Sequence, residues 1–401
     1  MPDYLLSYDV MLELAIRVSG RCLAWSAAAA DPGTRQHWLD RALAVTRDVF
    51  EVRADDLAAV TAKRRELREL FASLPAEPAS PAADESISAC QTELDPVRLR
   101  QVFDTQVLAH LEASRNPQPV GKQDQPWFVS VGGQPGSGKG RAVDQAMRSL
   151  PGSVVVNGDE LRPYRPAYER LMTSDPLRMP EVTAQASGQW VEMASQWLRE
   201  RRVSAVIETT LHRSAFLVEE LARYRAAGFA TQLRVVAVPP EVSRLGTLAR
   251  YLGQAQDYGA GRSVTLSAHD DRAAAIPGSV AQIVAAGVVD RLVVQDGDGQ
   301  VALDTPAAAD GPDLAAQARG AIERLREISS LTREQAQEWF AAVRSTLTGL
   351  ATVRVDEDLL AVAARLAGPD AAAVAARAWT GPERQDHLAG LRRALEALSS
   401  R

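Results

Sequence analysis

Cysteine is almost missing from this chain: Cys22 and Cys90 are the only two in 401 residues. Far apart in sequence, they make neither a disulfide framework nor a closely spaced thiolate metal site, and they fit a reducing compartment. A positive excess is missing as well. The net charge is −6 and the isoelectric point near 5.6, so nucleic acid is not an expected partner. The opening residues Met1 to Ser7 lack the basic-then-apolar layout of a secretory leader, and no apolar run reaches membrane-spanning length. No membrane partner is expected, and the cytoplasm is the default location. What is present is ordinary for a globular protein, 46% hydrophobic and 24% charged, in a chain long enough for two or three domains.

Residues 1–74 read as a helical bundle. Leu6, Val10, Leu14, Val18 and Cys22 share one helical stripe, and Asp31-Pro32-Gly33 breaks it. Asp55 or Asp56 can cap a third helix. Residues 75–86 are a proline-rich linker with nothing from which to build a core. Residues 87–306 alternate short apolar strands with helices: Trp127–Val131, Val154–Asn157, Ala205–Glu208 and Leu233–Val238, then Arg291–Gln295 and Gln300–Leu303 about a hairpin turn. This pattern predicts an α/β fold, a mainly parallel sheet covered by helices, with ligands at the carboxyl ends of the strands. Residues 307–401 form a helical C-terminal extension. Thr332 to Gln335 fits a capping box, Asp356 opens a helix, and Gly368-Pro369 and Gly381-Pro382 separate short helices; no chemistry is visible there.

The chemistry sits at Gly132-Gly133-Gln134-Pro135-Gly136-Ser137-Gly138-Lys139-Gly140, where an apolar strand breaks into glycines and ends in Gly-Lys. Backbone N–H groups in such a loop curl around phosphate, the following helix adds its positive end, and Lys139 reaches the outer phosphates of a nucleotide. Gly140 stands where a P-loop usually has the Ser or Thr that ligates Mg²⁺. Asp159, just past the second strand, fits either a base for a hydroxyl proton, a metal ligand, or a helix N-cap. Glu208 closes the third strand and fits a metal-side carboxylate, a substrate contact, or a chance acid. Glu192 on its own reads as a solvent-facing helix residue. Arg250 and Arg262 bracket a glycine-containing loop, as phosphoryl clamps or as ordinary surface arginines.

From Phe128 to Asp304 these pieces resemble the zeta-toxin family of bacterial toxin–antitoxin systems. The resemblance runs through the Gln-Pro P-loop, Asn157-Gly158-Asp159, Val206-Ile207-Glu208-Thr209-Thr210, Leu245-Gly246-Thr247, Arg250-Tyr251, Arg262 and Ala268-His269-Asp270. It implies a P-loop kinase that phosphorylates the 3′-hydroxyl of UDP-N-acetylglucosamine with ATP and Mg²⁺. By the same resemblance Lys139 holds the ATP phosphates within the loop 133–140, Asp159 is the base, and Arg250 and Arg262 flank the γ-phosphate. Glu192, Glu208, Thr210 and Arg213 stand at the sugar nucleotide. The family's arginine after the third strand falls on His212, with Arg213 one place on. Gly140 leaves Mg²⁺ to water, ATP and Glu208. Residues 1–74 bear a fainter likeness to the epsilon antitoxin, which implies an inhibitor in cis, with an antitoxin in trans as the alternative. Other acceptors, a dinucleotide or an antibiotic, and a nucleotide-binding module without kinase activity are the rival readings.

Overall fold

The computed structural model describes residues 3–76, 78, 93–117, 125–176, 178–209, 211–259, 261–306 and 311–400. Most of the expected linker, Cys90, Thr210 and the start of the C-terminal extension lie outside the described residues.

Three helices open the chain, α1 (Asp3–Ala28), α2 (Pro32–Glu51) and α3 (Leu57–Ser73). Asp31 and Asp56 cap the second and third, their carboxylates accepting from the N–H of Thr34 and Ala59. Next comes α4 (Pro96–Val102), which runs on through a π turn into Leu108–Ala113. The alternating region follows as β1 (Trp127–Gly133), α5 (Lys139–Arg148), β2 (Val154–Val156), α6 (Met179–Arg201), β3 (Ala205–Thr209), α7 (Ser214–Ala226), β4 (Ala230–Val236), α8 (Pro240–Tyr258) and α9 (Leu266–Ala285). It ends in the hairpin β5 (Arg291–Gln295) and β6 (Val301–Pro306). Five helices close the chain: α10 (Gly311–Arg326), α11 (Arg333–Leu350), α12 (Glu357–Arg365), α13 (Ala371–Ala378) and α14 (Gly381–Ser399). The fold is α/β, with its strands paired in parallel except in the closing hairpin.

The chain divides into two compact units: one of Met1–Asp9, Trp127–Gln145 and Glu208–Arg401, the other of Val10–Pro126 and Ala146–Ile207. In the first, β1 pairs with β4 from Trp127↔Ala230 to Gly133↔Val236, and β4 pairs with β5. The closing helices build a single core with α8: Val242, Leu245 and Leu248 pack with Trp339, Phe340, Val343 and Leu347 of α11 and with Leu366 and Val374. The capping box at Thr332 and Gln335 forms as the sequence indicates.

Gly368-Pro369 does not separate helices. The chain continues through a π turn at Leu366–Asp370, whose wider winding accommodates the N–H that Pro369 lacks. Glu357–Ala378 is therefore one stretch of 22 residues, long and apolar enough by composition to cross a membrane, which corrects the expectation that no such run exists. Leu359, Val362, Ala363, Leu366 and Val374 of this stretch are buried in the core of the first unit.

In the second unit β2 pairs with β3 from Val154↔Ala205 to Val156↔Ile207. The opening bundle packs here with residues 146–207. Arg17 and Arg21 of α1 both bond the buried Glu169 carboxylate, Arg21 Nε at 2.6 Å from Oε1. Trp190 of α6, fully buried, donates to the Leu99 carbonyl at 3.0 Å. Cys22 is a buried free thiol whose pKa burial pushes up to about 11, which makes it unreactive.

Candidate functional site

Between β1 and α5 the chain winds through Gly136 (φ +75) and Gly138 (φ +82), left-handed conformations open to glycine. The loop rests backbone to backbone on α8. A Cβ on Gly136 would lie 2.1 Å from the Ser243 carbonyl oxygen, and one on Gly246 would lie 2.3 Å from the Gly136 oxygen. Gly246 is thus kept free of a side chain by the glycine loop itself. Lys139, the first residue of α5, is 8% exposed; its Nζ donates to the Gln134 carbonyl at 3.3 Å and lies 3.6 Å from Glu208 Oε1. Among the described residues, Ser137 Oγ and Gln134 Oε1 are buried with no hydrogen-bond partner. Orphaned polar atoms in a loop of turned N–H groups mark a place for a polar ligand.

A line of buried bonds fixes the loop from behind. Gln134 Nε2 donates to the Val238 carbonyl at 2.8 Å and to Ser243 Oγ at 2.9 Å. Ser243 Oγ lies 2.9 Å from His269 Nε2, and His269 Nδ1 lies 2.8 Å from Asp270 Oδ1. This partner set selects the tautomer in which Nδ1–H donates to Asp270 and Nε2 accepts from Ser243. Burial lowers the His269 pKa below its ordinary value, although the Asp270 bond works the other way. Asp270 also accepts from Arg244 Nε at 2.9 Å, and the same guanidinium holds both oxygens of the buried Asp370 at 3.0 Å. Arg365 adds a bond to Asp370 at 2.9 Å. The relay ends in the C-terminal helices, where sequence reading saw no chemistry. The available signal was Asp370, the one acid in an apolar run from Leu366 to Ala378.

In the second unit Asp159 sits in a helical turn, Gly158–Leu161, after β2. The N-cap role belongs to Asn157, whose Oδ1 accepts from the Asp159 N–H at 3.0 Å. The Asp159 carboxylate accepts from Arg162 Nε at 2.6 Å and is 38% exposed. Arg162 is anchored in turn, donating to the Pro180 carbonyl at 2.8 Å and Thr183 Oγ1 at 2.6 Å. Sequence reading did not single out Arg162; its spacing of three from Asp159 was the signal. Glu192 is half-buried on α6. A cavity of this unit, about 510 Å³, is lined by Arg35, Arg98, Gln101, Arg165 and Glu169 among others, and by none of the expected site residues.

The remaining expected residues belong to the first unit. Arg250 is half-buried on α8, and the Arg262 N–H donates to Gln254 Oε1 at 2.8 Å. Arg213 is exposed, its guanidinium 5.6 Å over the Phe216 ring. Of all these, direct contact is described between Lys139 and Glu208. Among the described residues no group of three or more His, Cys, Asp or Glu side chains could hold a metal ion. A nucleotide-bound Mg²⁺ needs only one or two carboxylates besides phosphate and water, and Glu208 beside the loop fits that demand.

Residues 112–305 match the family described as Zeta toxin. Over 128 residues the chain is 30% identical to Toxin PezT of Streptococcus pneumoniae serotype 4, a match covering 32% of this chain and 51% of the relative. Over 241 residues it is 23% identical to Toxin zeta of Streptococcus pyogenes, covering 57% of this chain and 84% of the relative. Residues 112–305 belong to the zeta-toxin family. The chain spans about half the length of the pneumococcal relative. A solved structure from the PezAT chromosomal toxin–antitoxin system of Streptococcus pneumoniae shares the fold, with a TM-score of 0.52 and 19% identity over 64% of this chain and 98% of the other. The zeta-toxin domain holds the glycine loop, Asp159, Glu192, Glu208 and both arginines. The opening bundle and the closing helices lie outside it.

Proposed function

We propose that this protein is a kinase toxin that transfers the γ-phosphate of ATP to the 3′-hydroxyl of UDP-N-acetylglucosamine in the cytoplasm. The observation that carries the reading is the braced glycine loop with Lys139 buried beside Glu208 and two polar atoms awaiting a partner, within a zeta-toxin domain. Lys139 and the loop N–H groups take the ATP phosphates, and Arg250 and Arg262 offset charge on the γ-phosphoryl group. Asp159 takes the acceptor's proton, with Arg162 as the positioning residue that aims its carboxylate. Glu192, Glu208, Thr210 and Arg213 stand at the sugar nucleotide. Glu208, beside the loop, would be one carboxylate able to hold Mg²⁺, which would offset phosphate charge.

The antitoxin is assigned to a separate chain. Residues 10–74 share a compact unit with residues 146–207, and the Arg17 and Arg21 bonds to Glu169 make the bundle part of the framework behind Asp159. The test is incubation with labelled ATP and Mg²⁺ against a panel of UDP-N-acetylglucosamine, a dinucleotide and an aminoglycoside, followed by mass spectrometry. A phosphorylated sugar nucleotide is the expected product. Label on another acceptor would overturn the substrate assignment, and ATP bound without transfer to any acceptor would leave a binding module.

A further inference from the structure

Residue 140 lacks the hydroxyl that most P-loops place there, but the space beside it is filled. A Cβ on Gly140 would lie 2.2 Å from Asp9 Oδ1, 3.3 Å from Tyr8 Cδ1 and 3.4 Å from Asp9 Cγ. A Ser or Thr hydroxyl would sit one bond beyond that Cβ, so the Asp9 oxygen occupies the neighbourhood such a hydroxyl would take. Asp9 and Gly140 belong to the same compact unit, and Tyr8, 3% exposed, holds the start of α1 in place there. The carboxylate faces the first turn of α5, a ten-residue helix whose positive end favours negative charge. A separate observation points to a ligand at the same loop: Ser137, fully buried, has no hydrogen-bond partner for its Oγ among the described residues.

We infer that Asp9 supplies the protein oxygen for the divalent cation that accompanies the nucleotide, in the role of the missing Ser or Thr. The inference rests on the nucleotide-binding reading above. A carboxylate is a hard donor suited to Mg²⁺, which is commonly held by one or two such groups together with phosphates and water. The exchange has a consequence that a neutral hydroxyl would not bring. Without the cation, the Asp9 charge repels the nucleotide phosphates; with it, the same charge becomes attractive. Nucleotide affinity therefore depends on the cation more steeply than in a loop with a hydroxyl.

The test is calorimetric binding of ADP to the full chain, with Mg²⁺ and with a chelator. Mg²⁺ is expected to tighten ADP by about tenfold or more in the parent protein. In Asp9→Asn the gain shrinks to roughly twofold, while metal-free affinity holds or improves, which also reports an intact fold. Gly140→Ser alone weakens binding, because its Cβ collides with Asp9. The double variant Asp9→Ala, Gly140→Ser regains the metal dependence through the new hydroxyl. The Mn²⁺ resonance spectrum of the ADP complex gives a second readout, sharpened in the parent and lost in Asp9→Asn.

An unchanged metal gain in Asp9→Asn would overturn the inference. So would ADP tightening equally with and without metal, since Asp9 would then be a plug in the loop. Failure of the parent protein to bind ADP under either condition would overturn the nucleotide reading and this inference together.

Discussion

In the glycine loop the backbone of Gly136 lies directly against that of Gly246, and buried bonds run back from Gln134 to Asp370. After β2, the Asp159 carboxylate pairs with Arg162 and remains 38% exposed. The first arrangement fixes backbone N–H groups, which must be in place before an anion arrives. The second holds a side chain at a rotatable distance, as suits a group that must accept and release a proton. A cradle for a charged phosphate gains from rigidity, because preorganised dipoles need no rearrangement during reaction. A base needs reach, and a partly exposed ion pair supplies aim without locking it.

The strongest way to break this contrast is to remove the framework on one side. A chain starting at Ile87 loses the two arginine partners of the buried Glu169 along with Asp9. We expect it to be insoluble or inactive when expressed. An inhibitory bundle would instead leave a chain more toxic than the full protein, and cell survival after induction separates the two. Next in size, two aspartates should respond unequally. Asp370→Ala removes the buried partner of Arg244, which keeps its bond to Asp270, and should cost about 3 kcal/mol in denaturant unfolding, the low end for a broken buried pair. Asp159→Ala, at a partly exposed pair, should cost about 1 kcal/mol or less.

Gly246→Ala should act on the loop specifically. Its Cβ would press on the Gly136 oxygen from 2.3 Å, and one backbone must move. Stability should fall by about 1–3 kcal/mol. Nucleotide affinity should fall about tenfold, read by calorimetry. The smallest effect is the pH dependence from His269. Its folded pKa lies below the ordinary 6.5, so its contribution is intact above that value. As pH falls below it, the unfolded chain takes up a proton that the folded chain refuses, and stability is lost by at most about 1.4 kcal/mol per pH unit. Melting temperatures between pH 7 and 5 should show this slope, and His269→Gln should flatten it.

The loop and its strand were legible because they are local: a buried strand, positive-φ glycines and the first residue of a helix are contiguous in the chain. The hairpin about Asp296 to Gly299, and the caps at Asp56, Thr332 and Asp356, were legible for the same reason. The Asp370 link to Arg244 was not, since it spans 126 residues and no periodicity marks which acid turns inward. Pro369 misled for a different reason. Proline removes one N–H, and a π turn absorbs the loss without ending the helix, a choice made by the packing of Leu366 and Val374 and not by the dipeptide. Asp9 escaped notice because the clue was a missing side chain at Gly140, whose meaning depends on what fills the space.

The most direct test of the account is nucleotide affinity and phosphoryl transfer measured on the same preparation of Asp159→Asn. ATP should bind within about twofold of the parent protein, while transfer to UDP-N-acetylglucosamine falls by about 10²–10⁴. Transfer at the parent rate would contradict the assignment of Asp159 as the base and, with it, the division of labour between loop and turn.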